Sequence, residues 1–378
     1  MNWPCARIFF FERDKSDLIL GGIAPAIEAW RSVPGAAPVW LRSHWRLGPH
    51  VDVIADMPDA EFDDQLLPLI EQHVGGWMAN NSSLAVLDEH EYAALSKRLA
   101  ITELESGALG PLGANNTIVR AQHQPNLDIF GVREILEGQH RFQALSVSAV
   151  IDALRLRRKD EARLFLRLAE MLALTGNFVP KHGLPRSFIS FRAHADYVFA
   201  NYDPSGAVRE RFDATDAAFQ EEVDTIVAAA HAVYLGERDV LEAFPHLAGW
   251  YNDARGLSIE VYAVAERNAE ILGRQNRLSG LADEIVASQN VVLDPAKARK
   301  DSETEKYIGD MQSVFQQVPH IAYRTMVNYL YGLLPILSVS PMQKYLICHM
   351  VAKSCERVFE KSWRNVVDEG RILQGAAA

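Results

Sequence analysis

The chain is 378 residues long, 48% hydrophobic and 23% charged, which is enough apolar material for a sizeable core and too much for disorder. A formal net charge of −11 excludes wholesale coating of a nucleic-acid backbone, because that work needs a basic face. No uninterrupted apolar run reaches the roughly 18 residues of a membrane helix, and the opening MNWPCARIFFFERD has no basic start followed by an apolar core, so no export signal is read.

In chain order, Arg7 to Phe11 is aromatic and β-prone, and Lys15 to Arg31 carries apolar residues at helical spacing. Ala37 to Leu41 and Val51 to Ala55 are two short strands around the WRLGP turn, where Gly48 and Pro49 mark the reversal. Pro58 to Leu104 is helical, with a loop at GGWMANNSS (75–83) and a helix starting near Asp88. Gly107 to Asn116 is a breaker-rich connection, and a short extended segment follows Thr117.

Beyond PNLDIFG the pattern is helical. Helices are expected over Val132 to Leu136, Phe142 to Leu174, Phe188 to Asn201, Thr215 to Tyr234, Leu257 to Gln275, Ser302 to Phe315 and Ile321 to Trp363. The last is interrupted near Pro335 and Pro341. The expected fold class is α+β, a small amino-terminal mixed sheet with helices followed by a helix-rich carboxyl-terminal part. Domains are expected over 1–130 and 131–378, joined as one continuous catalytic domain.

The nucleotide, zinc-protease and serine-hydrolase signatures are all missing. Cys5, Cys348 and Cys355 are an odd set without C-x-x-C spacing, which speaks against disulfides and for the reducing cytoplasm; Cys348 and Cys355 read as core residues. His44 and His50 lie six apart with no carboxylate or thiolate trio nearby, so neither a metal nor any other cofactor is expected.

Several side chains fall in patterns that suit a site. Arg42, His44 and Arg46 alternate, hence share one strand face; they suit a peptide carbonyl or carboxylate, or form a solvated strand end with Trp45 packed on the opposite face. His50, after Gly48 and Pro49, serves chemistry or merely caps the turn. Ser190, His194 and Tyr197 share a helical face with Arg192 to one side, and His320, Arg324, Asn328 and Tyr331 form a polar stripe on an apolar helix, lining a cavity or facing solvent. The basic run Arg155, Arg157, Arg158 and Lys159 reads as a helix surface, with contact to an acidic leader peptide or tRNA as the alternative.

Three blocks resemble the carboxyl-terminal domain of lantibiotic dehydratases, the thiopeptide-type bacteriocin biosynthesis family: Trp40 to Ile54, Ser187 to Phe199, and the closing VNYLYGLLPILSVSPMQKYLICHMVAKSCERVF. The resemblance implies maturation of ribosomally made peptides. Full-length members acylate Ser or Thr of a precursor from glutamyl-tRNA and then eliminate glutamate in this domain. Stand-alone versions act as the eliminating lyase or, in thiopeptide pathways, as a cyclase joining two dehydroalanines into a six-membered nitrogen ring. At this length the acylating part is expected to be absent. The implied partners are a precursor peptide, leader and modified core, and a separate glutamyl-tRNA-dependent acylating enzyme, with no membrane and no direct nucleic acid.

Elimination calls for a base and for cations that hold the departing glutamate. Arg42 matches the family's strand-end arginine and His50 its GPH histidine, while the eliminating pattern H-[IL]-R-L-R continues here as Val51, Asp52, Val53 and Ile54, so an arginine has become an acid that repels a carboxylate. The family's R-Y-G-G falls on Asp128 to Gly131 and its H-M-H-x-N-R begins on Pro341, Met342, Gln343 and Lys344, so an arginine and a histidine are lost. A cyclase works mostly by positioning and a few donors. The expected function is therefore a peptide-maturing enzyme, a pyridine-forming cyclase ahead of a glutamate-eliminating lyase, with a non-catalytic peptide-binding scaffold as a third possibility. Arg42, His50 and His194 are the candidate catalytic residues; His44, Arg46, Arg192, Tyr197, Arg324, Asn328 and Tyr331 are the candidate substrate contacts. The peptide is expected to dock as an added strand beside Val51 to Ala55.

Overall fold

A computed structural model describes residues 3–180, 182–274, 300–309 and 316–375. It divides into two compact units: among the described residues the first holds 3–158 and 332–339, the second 159–274, 300–309, 316–331 and 340–375. The expected boundary at 130 thus precedes the first unit's last helix, Arg133–Arg157, which packs along its sheet.

The first unit is built on a four-stranded sheet: β1 Trp3–Phe9, β2 Val39–His44, β3 His50–Ala55 and β4 Thr117–His123, in the order β2-β3-β1-β4. Every pairing is antiparallel, so the sheet is not the mixed one expected. The β2–β3 hairpin turns where Leu47 and Gly48 take positive φ angles of 66° and 111°, closed by the Gly48 amide donating to the Trp45 carbonyl at 3.0 Å. β3 is paired on both sides, by β2 and β1, and has no free edge on which a peptide strand could add.

Alternation sorts the sheet into two faces. One presents the buried Ala6, Ile8, Leu41, Val51 and Val53. The other is apolar at one end, where Trp3, Cys5, Trp40 and Ile54 pack with Leu136. Toward its other end the registers Arg7↔Asp52, Arg42↔Asp52, His44↔His50 and Phe9↔His50 gather polar side chains. The helical segments 16–31 and 59–78 each contain π-helical turns, and Ile19, Ile23, Ile27, Phe62, Leu66, Ile70 and Val74 along them are buried. The second segment continues through Met78, so the expected loop begins at 79 instead of 75. Asp88 then caps Glu89–Glu103 by accepting from the Glu91 amide.

Every regular element among the described residues of the second unit is a helix. Pro341–Val358 runs against Leu184–Tyr202, Gln220–Leu235, Ala207–Ala218 and Glu161–Gly176; it starts with a Ser340–Gln343 capping box and buries Ile347, Cys348, Val351, Ala352 and Cys355. Two expected helices are each broken into two. Phe142 to Leu174 is interrupted at Arg158 to Asp160, where Asp160 caps the next helix, and Thr215 to Tyr234 straddles a break at Phe219. The third long stretch is the helices Val318–Tyr331 and Pro341–Val358, with Trp363 opening another. Residue 275 and residues 310–315 of the expected helices lie outside the described residues.

Candidate functional site

The Glu89–Glu103 helix ends where Leu104 takes a left-handed turn, φ 57°, and the next residue, Glu105, swings over the end of β2. Its carboxylate gathers the expected strand-end residues: Arg42 Nη2 at 2.5 Å and His44 Nε2 at 3.2 Å from Oε1, and Arg46 Nη1 at 3.8 Å from Oε2. Trp45 is not on the opposite face of the strand; it lies past the strand end, stacks on His44 at 5.0 Å and donates Nε1–H to Glu103.

Burial and the adjacent Arg42 push His44 down to about 4, against the pull of Glu105, so its ring is neutral at pH 7. The Arg46 amide donates to Nδ1 at 3.0 Å, which leaves the proton on Nε2, facing Glu105. Burial alone would raise Glu105, but contact with His44 and the guanidinium of Arg42 holds it at about 2. With His44 neutral, its share is a hydrogen bond, and the two arginines carry the charge.

Beside this cluster, Arg7 donates to both oxygens of the fully buried Asp52, at 2.8 and 3.0 Å. Burial works against ionisation of Asp52, yet its carboxyl lies far below the usual range. His50 Nε2 stands 3.6 Å from Oδ1, beyond hydrogen-bond reach, so Arg7 carries most of this effect. The acid at position 52 is therefore neutralised, not left to repel an incoming carboxylate. His50 is 1% exposed, stacks edge-on to Phe9 and donates Nδ1–H to the Gly48 carbonyl at 2.8 Å. Towards the apolar end, His140 stacks on Trp40 at 4.6 Å and His123 meets both rings. Burial, then Arg42, lowers His140 to about 4 and holds His123 well below the ordinary histidine value.

The remaining candidates lie in the second unit. His194 and Tyr331 do meet, with Nδ1 3.1 Å from the phenol oxygen, which is itself 3.2 Å from Cys348 Sγ. Arg192 is committed to the buried Asp196, which also accepts from Thr304. Ser190 pairs with Tyr323 at 2.9 Å, and Tyr197 packs edge-on to Tyr202. The polar stripe does not act as one surface: His320 packs with His182 and Tyr323, Arg324 donates to the Leu272 carbonyl, and Asn328 is exposed. Arg155, Arg157 and Arg158 pair with Asp152 and Glu28, Asp14, and Asp17, so that run is not a free basic patch. Glu105, Asp52's partner Arg7, and Lys344, whose ammonium lies over the Tyr331 and Tyr345 rings, escaped the sequence reading.

Among the described residues no group of three or more His, Cys, Asp or Glu is arranged to hold a metal ion, and no helix is long and apolar enough to cross a membrane.

The family model for the lantibiotic biosynthesis dehydratase C-terminal domain matches residues 3–355. The chain belongs to this family. Membership places it among the proteins that mature ribosomally made peptides. Of solved structures, the fold is similar to that of TbtD, a pyridine synthase from thiomuracin biosynthesis, with a TM-score of 0.71 and 22% identity over 95% of this chain and 99% of that one. It is also similar to TsrL, at a TM-score of 0.63 and 14% identity over 97% and 98% of the two chains. At these identities the likeness speaks for the fold. No curated protein matches the chain.

Proposed function

We propose that this family member acts on a dehydrated precursor peptide and closes a pyridine-type ring by aza-cycloaddition of two dehydroalanines, followed by loss of water and of the leader. What carries this reading is the state of the strand-end cations. Arg42 and Arg46 converge on Glu105, and Arg7 is bonded twice to Asp52, so the guanidiniums that would grip a departing glutamate are already matched by carboxylates of the same chain. Cycloaddition requires no such grip; it requires the two alkenes aligned and a donor for the amide oxygen whose imidic tautomer reacts. At the strand end Arg42 gives one guanidinium nitrogen to Glu105 and keeps others as donors, while both ring nitrogens of His44 are taken, by Glu105 and by the Arg46 amide, so His44 holds Glu105 in place. His194 supplies a donor in the second unit. His50 positions the hairpin turn through Gly48. The likeness to a pyridine synthase supports the same reading at the level of fold.

One observation favours elimination instead. Two arginines and a histidine with a pre-set tautomer, all converging on a carboxylate, make a carboxylate seat, and Glu105 then occupies the position of the departing glutamate. The two readings separate in one experiment. The purified chain is incubated with a synthetic precursor bearing two dehydroalanines, and separately with one bearing glutamylated serine, and products are followed by mass spectrometry. Ring formation with release of leader from the first, and no glutamate from the second, supports the cyclase. Glutamate release, faster in Glu105→Gln than in the native chain, assigns the lyase.

A further inference from the structure

The second unit holds a half-buried ammonium with no acid beside it among the described residues. Lys344 extends from the first turn of Pro341–Val358, and its Nζ lies 4.3 Å from the centroid of Tyr345 and 5.0 Å from that of Tyr331. Among the described residues no carboxylate is within ion-pairing distance of it. Two aromatic faces attract a cation but do not neutralise it, and a desolvated charge without a counter-ion is costly. Burial accordingly lowers the Lys344 ammonium from its ordinary value. Stability alone gives no reason to keep this arrangement.

The imidazole of His194 shares both rings with Lys344, at centroid distances of 5.6 Å from Tyr331 and 6.3 Å from Tyr345. Burial, followed by the charge of Lys344, lowers His194 to about 4, so it is neutral at pH 7. A phenol is the better donor and an imidazole nitrogen the better acceptor, so Tyr331 donates to Nδ1. The Tyr331 oxygen in turn accepts from the Cys348 thiol, which burial keeps protonated, raised to about 11. This relay places the ring proton of His194 on Nε2, and no described protein group accepts it.

We infer that Lys344 and His194 Nε2–H form a two-donor seat for an amide oxygen of the peptide substrate, holding the negative charge that gathers on it as the amide reacts. Cys348 and Tyr331 are positioning residues that set the tautomer. The substrate class rests on the peptide-maturing function proposed above; the seat itself rests on the cation, the imidazole and the two rings. A neutral imidazole and an ammonium resting on two aromatic rings suit this task, since both donate without first shedding a salt bridge.

The test uses the full chain. With 15N-labelled histidine, NMR should show His194 as the Nε2–H tautomer, and a short peptide amide containing dehydroalanine should move its Nε2 signal. Lys344→Met keeps the stem and removes the charge; it should lower kcat on the dehydrated precursor by about 10–100-fold with KM within about threefold, and Lys344→Arg should recover part of that loss. Cys348→Ala should shift the tautomer balance of His194 without unfolding the chain. Native kcat in Lys344→Met, or an Nε2 signal that ignores the peptide, overturns the seat. If the native chain forms no ring, the proposed reaction falls, and the NMR response to the peptide amide still decides whether the seat exists.

Discussion

Arg42 is where residue-level reasoning is most exposed to test. It is half-buried and bound to Glu105, so its removal leaves Arg46 to balance that carboxylate and neutral His44 to hydrogen-bond it. Partly exposed ion pairs contribute about 1 kcal/mol or less, so Arg42→Ala should lower the melting temperature by no more than a few degrees. Turnover of the dehydrated precursor should fall by at least about tenfold, the loss associated with a donor that acts in the transition state. A calorimetric melt and a mass-spectrometric rate check both halves; a melt lowered by many degrees assigns Arg42 to structure. Strand alternation made Arg42, His44 and Arg46 legible as one face. Glu105 was not legible, because it is 63 and 61 residues from Arg42 and His44 along the chain and reaches them through a left-handed Leu104 that no turn residue announces.

Among elements, the connection into β4 is built tightly against β1. A Cβ placed on Gly113 would stand 2.3 Å from the Phe9 ring, and that ring packs edge-on to His50. Gly113→Ala therefore forces Phe9 aside and should destabilise the first unit by about 1–3 kcal/mol, the usual effect of overpacking. Loss of activity should accompany it, since His50 moves with the ring; urea unfolding and a turnover assay measure the two. An unchanged unfolding midpoint would mean that the connection yields at no cost. The elements themselves were largely readable from apolar spacing and turn residues, and the hairpin from Gly48 and Pro49. The break at Phe219 was not, because apolar spacing runs on through it; at the other, the charged run Arg157 to Glu161 interrupts the spacing and Asp160 is a cap signal that the expected single helix overrode. The central place of β3 is equally hidden, as strand order depends on pairings between distant segments.

At the scale of the whole molecule, acid is the informative variable. His140 is held at about 4 and His123 well below its ordinary value, both by burial first, so the unfolded chain takes up protons that the folded chain refuses. Stability from these groups is complete above about 6.5, the ordinary histidine value, and is lost as pH falls toward 4, on the order of 1 kcal/mol per pH unit for each. Glu105, held at about 2, adds a loss in the same direction below the ordinary carboxylate range. Unfolding free energies measured by urea between pH 7 and 4 should decline steadily. His140→Phe, which keeps a ring on Trp40, should flatten that decline; an unaltered slope would remove His140 as a cause.

The sequence by itself determined the fold class, the hairpin, the helix-rich second half, the buried cysteines and the family resemblance. These rest on period, turn chemistry and composition, which neighbouring residues carry among themselves. Only the tertiary structure decided which charges meet: that Asp52 is answered by Arg7, that Glu105 sits among Arg42, His44 and Arg46, and that Lys344 stands beside His194 with no acid at it among the described residues. Such pairings depend on where packing brings segments far apart in the chain, and electrostatic matching acts through space, without regard to sequence distance.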